Sequence, residues 1–195
     1  MIKSDSIMLI LSSPSGAGKT TITKKIQQKY SNFKISVSHT TRKPRTNEVD
    51  GVDYHFVKKE EFEDLIKKKE FYEFAKIFDN YYGTSKKAVE KIIKNNNNVL
   101  FDIDWQGTQQ LNKYSELKLI KVFILPPNKV ELKKRLQQRN QEKNEILEKR
   151  LNSYDIDITH WKDYDYILIN DNLENCYRQI EDIIKKETNK ENFKI

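Results

Sequence analysis

The sequence lacks most of the features that mark a secreted, membrane-embedded or metal-clustered protein. Among its 195 residues there is one cysteine, Cys176. A single thiol excludes a disulfide framework and points to a reducing compartment. Cys176 lies in a Glu-Asn-Cys-Tyr context with no histidine nearby, so it reads as a structural thiol rather than a nucleophile. The three histidines, His39, His55 and His160, show no metal-ligand spacing. No apolar run approaches membrane-spanning length, and the amino terminus has no signal-peptide core. The expectation is a soluble, cytoplasmic protein with no membrane partner. Blocks of five or more like charges are missing too: 36 Lys and Arg interleave with 29 Asp and Glu, for a formal net charge of +7. That mixture predicts a solvated surface that attracts small polyanions such as nucleotides, not a nucleic-acid-binding stripe. There is no internal repeat or long low-complexity linker, and this length suits one sizeable core with room for inserted lobes.

What is present begins with Leu11-Ser12-Ser13-Pro14-Ser15-Gly16-Ala17-Gly18-Lys19, preceded by the apolar run from Ile7 and followed by Thr20 and Thr21. A short buried strand entering a glycine-rich turn, then a lysine and a hydroxyl opening a helix, is a phosphate-binding loop. Backbone N–H groups and the helix dipole converge on an anion, the lysine adds a point charge, and Thr20 can ligate Mg²⁺. The strict motif has glycine where this chain has Ser13. Gly16 and Gly18 still permit close approach of backbone to phosphate.

Short Ile-, Val- and Leu-rich runs alternate with helical patterns along the chain. Residues 7–11, 35–37, 99–103, 119–125 and 166–169 suit strands buried on both faces of a parallel sheet. The alternation predicts an α/β layer fold. Two stretches depart from it. Residues 38–94 are aromatic and mixed, with short antiparallel strands expected around 52–56 and 73–77. Residues 128–160 are charged and helical, opened by Asn128 and Glu131 in capping-box spacing after Pro126-Pro127. Both read as lobes inserted into one core. The run Asn95 to Asn98 reads as a polar turn before a strand.

Four further clusters carry chemistry. Asp102 and Asp104 end a buried strand, where nucleotide folds gather groups near metal or substrate. Arg42 and Arg45 flank Pro44 and are spaced to address one phosphate, with hydroxyls of Ser38, Thr40 and Thr41 expected to complete the anion site. Glu73, framed by Phe71, Tyr72 and Phe74, is either the outward residue of a half-buried strand or an acceptor for a base edge with two adjacent N–H donors. Arg135 and Arg139 share one helix face, and Arg150 falls on the apolar stripe Leu147, Leu151, Tyr154 and Ile158.

Six ordered motifs together resemble guanylate kinase, and the bacterial members closely, over nearly the whole chain. They are the loop from Ser13 to Lys19, Ser36 to Arg45, Gly51 to Tyr54, Asn80 to Thr84, Asp102 to Gly107, and Ile169-Asn170-Asp171. The resemblance implies one α/β domain over 1–195: a P-loop NTPase core (1–37, 95–127, 161–195) with a parallel β-sheet flanked by helices. A GMP-binding lobe of mixed or antiparallel β-structure (38–94) and a helical lid (128–160) are inserted into it.

The resemblance also implies transfer of a phosphoryl group from Mg-ATP to GMP, and dGMP as an alternative acceptor. Ser13, Pro14, Ser15, Gly16, Ala17, Gly18, Lys19, Thr20 and Thr21 would hold the ATP phosphates, with Asn170 and Asp171 beside the adenine. Thr20 and, through water, Asp102 would support Mg²⁺. Arg42, Arg45, Tyr54 and Tyr82 would grip the GMP phosphate, while Ser38, Glu73, Thr84 and Asp104 would read the guanine, with Asp102 also on the GMP side. Lys19, Arg42, Arg135, Arg139 and Arg150 would be the catalytic cations. The chain departs from many relatives at Asn140, where a glycine commonly follows Arg139. Three other readings have less support. A non-catalytic guanylate-kinase-like interaction module would lack an intact phosphate loop. A sugar-phosphate kinase would have no use for Glu73 and Tyr82, and a nucleic-acid-binding protein would focus its charge on one face.

Overall fold

The structure, a computed structural model, describes residues 6–139 and 144–189. Its centre is a five-stranded sheet; four strands fall on the apolar runs, whereas the run 35–37 is strand only at Ile35, because the segment that pairs with the neighbouring strand begins earlier, at Phe33. The members are β1 (Met8–Ser12), β2 (Phe33–Ile35), β7 (Asn98–Asp102), β8 (Leu119–Leu125) and β9 (Tyr166–Ile169), in the order β2-β7-β1-β8-β9 with every pair parallel. Parallel strands need both faces covered, and β1 shows how one strand meets that need. Leu9 and Leu11 pack on one face with Ile22 and Ile26 of α1 (Lys19–Lys29) and Ile180 and Ile184 of α7 (Leu173–Asn189). Met8 and Ile10 pack on the other with Val89 and Ile93 of α3 (Lys86–Lys94) and Leu111 of α4 (Trp105–Leu111). Cys176 is fully buried in the first of these clusters, its thiol pushed up to about 11 by burial.

A second sheet lies within residues 38–94, in the order β4-β3-β6-β5: β3 (His39–Thr40), β4 (His55–Phe56), β5 (Phe71–Ile77) and β6 (Asn80–Ser85). The β5–β6 pair is antiparallel as expected, with α2 (Lys59–Lys67) stacking Phe62 on Phe71. The strand expected near 52–56 is only His55–Phe56 and runs parallel to β3. The connection from β3 to β4 loops through Glu48 and Gly51 instead of turning back as a hairpin. The polar run before β7 is a turn, with Asn96 at φ 55, and Asn98 Oδ1 accepts a hydrogen bond from the Ile7 N–H at 2.9 Å.

The charged stretch folds as α5 (Lys129–Arg139) and α6 (Asn144–Asp157), continuing into a 3₁₀ turn (Ile158–Asp163). Ile158 is therefore beyond the α-helix to which its spacing assigns it. Leu132 and Leu136 pack against Leu147 and Leu151, a small core separate from those on the main sheet. Asn128 Oδ1 accepts from the Glu131 N–H at 2.8 Å, but the Glu131 carboxylate takes the Arg135 Nε–H at 3.0 Å, so one half of the capping box forms. The Arg139 side chain and Asn140 lie outside the described residues.

Candidate active site

The carboxyl ends of β1 and β7 open into a cavity of about 390 Å³ that also meets the second sheet and α6. On the β1 side stands the phosphate loop. Gly18 caps α1 with φ 101, a left-handed conformation that favours glycine, and a Cβ there would stand 2.4 Å from Asn170 Nδ2. Gly16 is also left-handed, at φ 91, whereas Ser13 is not among the positive-φ residues. This is the backbone reason serine is tolerated at that position. Lys19 Nζ reaches across to Asp102 Oδ1 at the end of β7, so the loop's cation and the strand's carboxylate occupy one end of the cavity.

Ser13, Pro14, Ser15, Gly16, Gly18 and Thr20 line the same space. Ala17 is buried beneath it and Thr21 is exposed on α1. Asn170 is buried, its amide donating to the Ala17 carbonyl at 2.7 Å, so it braces the loop from behind. Asp171 is exposed and accepts from the Asn172 N–H.

The opposite wall is acidic and buried. Glu73 is 3% exposed, and burial pushes its carboxyl up to about 7; the Thr84 hydroxyl opposes that rise and Asp104 adds to it. Gly107 backs this carboxylate so closely that a Cβ would lie 2.5 Å from Glu73 Oε2. Asp104 caps α4, accepting from the Gly107 N–H and from Gln106 Nε2, each at 3.0 Å, and burial raises its pKa as well. Ser38 lines the cavity, while Thr84 is fully buried behind it.

Arg45, Tyr54 and Tyr82 line the rim, the two tyrosine rings 5.9 Å apart edge to face. Arg42 lies over the Tyr54 ring at 5.2 Å, its guanidinium held by both Glu48 oxygens at 2.8 Å. Glu48 also accepts from the Arg45 N–H at 2.8 Å. The hydroxyls of Thr40 and Thr41 do not join this anion site. They bond the Tyr81 carbonyl and N–H respectively, each at 2.9 Å, and so stitch β3 to β6. The charged helices contribute Arg150, whose Nη1 donates to Ser15 Oγ at 3.3 Å. Arg135 is engaged by Glu131 on α5.

The family model described as guanylate kinase matches residues 6–187. The chain belongs to the guanylate kinase family. It is 45% identical over 181 residues to guanylate kinase of Paramagnetospirillum magneticum, covering 93% of this chain and 85% of that protein. It is 45% identical over 192 residues to guanylate kinase of Rickettsia bellii, covering 98% of this chain and all of the relative. The crystal structure of guanylate kinase from Anaplasma phagocytophilum matches with a TM-score of 0.78 at 34% identity, over 96% of this chain and 88% of that one. The P-loop α/β fold expected from the sequence is therefore borne out.

Four residues at the cavity carry no motif signal: Phe78, Ser153 and Asp157, which line it, and Glu48, which holds Arg42. Glu48 carries no signal beyond its place three residues after Arg45. Ser153 and Asp157 stand three and seven residues after Arg150, one face of α6, and helical spacing would have grouped them. Asp157 accepts from Trp105 Nε1 at 3.2 Å, and burial pushes its carboxyl up to about 6 against that bond, with Asp104 adding to the rise.

Proposed function

We propose that this cavity binds the phosphates of Mg-ATP at the loop and GMP against the acidic wall, and transfers the γ-phosphoryl group between them to give ADP and GDP. The reaction is that of the family to which the chain belongs. The observation that carries the reading is the placement of a buried carboxylate, Glu73, in the same cavity as Lys19 and the phosphate loop.

Phosphoryl transfer asks the protein for alignment and for positive charge where the equatorial oxygens gather electrons, so no general base is required. Backbone N–H groups from Ser15 to Thr20 cradle the donor phosphates, Lys19 neutralises them, and Arg150 reaches the same oxygens from α6 beside Ser15. Arg42, Arg45, Tyr54 and Tyr82 take the acceptor phosphate, with Glu48 fixing the Arg42 fork for bidentate contact. Arg135 and Arg139 complete the charge from α5.

Glu73 and Asp104 accept from guanine N1–H and the 2-amino group, with Ser38 and Thr84 beside the base. Adenine offers no such pair of donors and would leave a buried carboxylate unpaired, a discrimination on the order of 10⁴-fold for sites of this kind. In this reading Asn170 and Asp171 border the adenine. The acceptor dGMP is also used, because the named groups address base and phosphate and none is assigned to the sugar.

The donor set fits Mg²⁺. No group of three or more His, Cys, Asp or Glu forms a metal cage among the described residues, but the Thr20 hydroxyl and the Asp102 carboxylate are hard oxygen donors beside the phosphate loop. Mg²⁺ is commonly held by one or two such groups together with substrate phosphates and water. When bound, the ion would draw charge from the phosphoryl oxygens. No helix among the described residues is long and apolar enough to cross a membrane. A cytoplasmic location fits the lone, buried Cys176.

Coupled detection of ADP with GMP, AMP, CMP and UMP as acceptors tests the assignment. GMP should be used in strong preference, and equal rates with AMP would remove the role given to Glu73.

A further inference from the structure

The turn joining β5 to β6 breaks a local rule. Ile77 pairs with Asn80, leaving Phe78 and Asp79 as a two-residue tip. Both have positive φ, 46° and 69°, as a type I′ hairpin requires, and such tips are ordinarily Asn-Gly or Asp-Gly. A bulky aromatic in the left-handed region is strained. Strain of this kind persists where something outside the turn uses the residue.

What lies opposite the tip is the lid helix α6. The Phe78 ring lines the active-site cavity, and the Arg150 guanidinium lies over it with 6.0 Å between guanidinium carbon and ring centroid. The neighbouring Lys149 Nζ reaches Asp79 Oδ2 at 3.3 Å. That ion pair is exposed on both sides and salt-screened, so it contributes little. The ring contact is half-buried and holds a guanidinium that also touches the phosphate loop, at Ser15. Phe78 therefore stands on the acceptor side and Ser15 on the donor side of the same cation.

We propose that Phe78 is a positioning residue for the phosphoryl transfer, holding Arg150 over the phosphate loop when the acceptor lobe is in place. A ring suits the task better than a carboxylate. It attracts the cation through its face without itself accepting from any guanidinium N–H. A carboxylate at the same place would pair with Arg150 and compete with the phosphates. Because the ring sits on the hairpin of the sheet that carries Glu73, the placement of Arg150 is tied to the position of that sheet.

The inference rests on the guanylate kinase reading, and the test separates the two. The parent protein is first assayed for GMP phosphorylation; no activity there would overturn the reading itself. Phe78→Gly then removes the ring and relieves the strained φ. The expected result is an unchanged or higher melting temperature, a GMP KM within about twofold, and a kcat reduced about tenfold, as for lost transition-state positioning. Phe78→Tyr, which keeps a ring face, should restore kcat. In an Arg150→Ala background Phe78→Gly should cost nothing further, since contacting residues are non-additive. Retention of parental kcat by Phe78→Gly, or a full additional loss in the Arg150→Ala background, would overturn the proposal. A purely structural role would instead lower the melting temperature and leave kcat intact.

Discussion

Glu73 is the residue whose environment most constrains what the site can do. Its carboxyl titrates near 7 because burial disfavours the charge, against an ordinary value of 4.5. A raised pKa means that the folded state holds the proton more tightly than the unfolded one. Stability from this group is fully present below about pH 4.5 and is lost as pH rises to about 7. Glu73→Gln removes that loss, so the variant should melt above the parent at pH 8 and close to it at pH 4.5, as scanning calorimetry would show. Guanine needs the ionised acceptor. The KM for GMP should rise as pH falls through about 7 in the parent, beyond the part that arises from the GMP phosphate, whose own second pKa is about 6. In Glu73→Gln only the phosphate part should remain, on top of a loss of GMP use of several hundredfold or more. A variant with parental GMP kinetics would return Glu73 to the role of a packed strand residue. Lys19→Ala should abolish transfer to both GMP and dGMP with little change in melting temperature, because its partner Asp102 remains partly solvated. The chemistry of Lys19 was legible in sequence, since a lysine behind two glycines is unusual in itself; a carboxylate among aromatics also suits the outward position of a half-buried strand, and only the family resemblance singled out Glu73 for guanine. Glu48 and Asp157 were not legible, because an acid on a polar loop or an amphipathic helix looks like any solvated charge until its partners Arg42 and Trp105 are placed beside it.

At the level of elements, the buried strands were the easiest to read. Residues 119–125 and 166–169 are strands within the bounds their apolar runs suggest, because a parallel strand covered on both faces must be apolar throughout. Pairing direction was less legible. The strand at His55–Phe56 aligns parallel to β3 because its neighbours are chosen by the path of the loop through Glu48, which no local pattern encodes. The hydroxyls at Thr40 and Thr41 show the same limit: their types suit an anion site, but the register of β3 on β6 delivers them to Tyr81. The contact of α4 with β5 yields a sharp test. Gly107 is helical, so alanine there would favour the helix by about 1 kcal/mol, yet its Cβ would stand 2.5 Å from Glu73 Oε2. Gly107→Ala should therefore raise the GMP KM at least tenfold, on the scale of a buried polar contact displaced, while the ATP KM and melting temperature stay near parental. Initial-rate kinetics with each substrate varied would check it, and an unchanged GMP KM would mean that Glu73 has room to yield.

For the whole molecule, the arrangement is a glycine-rich loop on one sheet, a buried carboxylate on another and a helical pair that touches both. Metal dependence belongs at this scale. With no protein cage for an ion among the described residues, the metal should arrive with the nucleotide. Chelation should stop transfer completely, Mg²⁺ should restore it, and the melting temperature of the nucleotide-free protein should not change; a large fall on chelation would point to a structural metal instead. The sequence by itself determined the parallel core, the phosphate loop and the identity of the cations and carboxylates. Those follow from burial, backbone geometry at Gly16 and Gly18, and charge, all of which are local. Only the tertiary structure decided that Lys19 meets Asp102, that Gly107 presses on Glu73, and that the Phe78 ring meets Arg150. Those contacts join residues 83, 34 and 72 positions apart, and distances between side chains on separate elements are set by packing, which no spacing along the chain expresses.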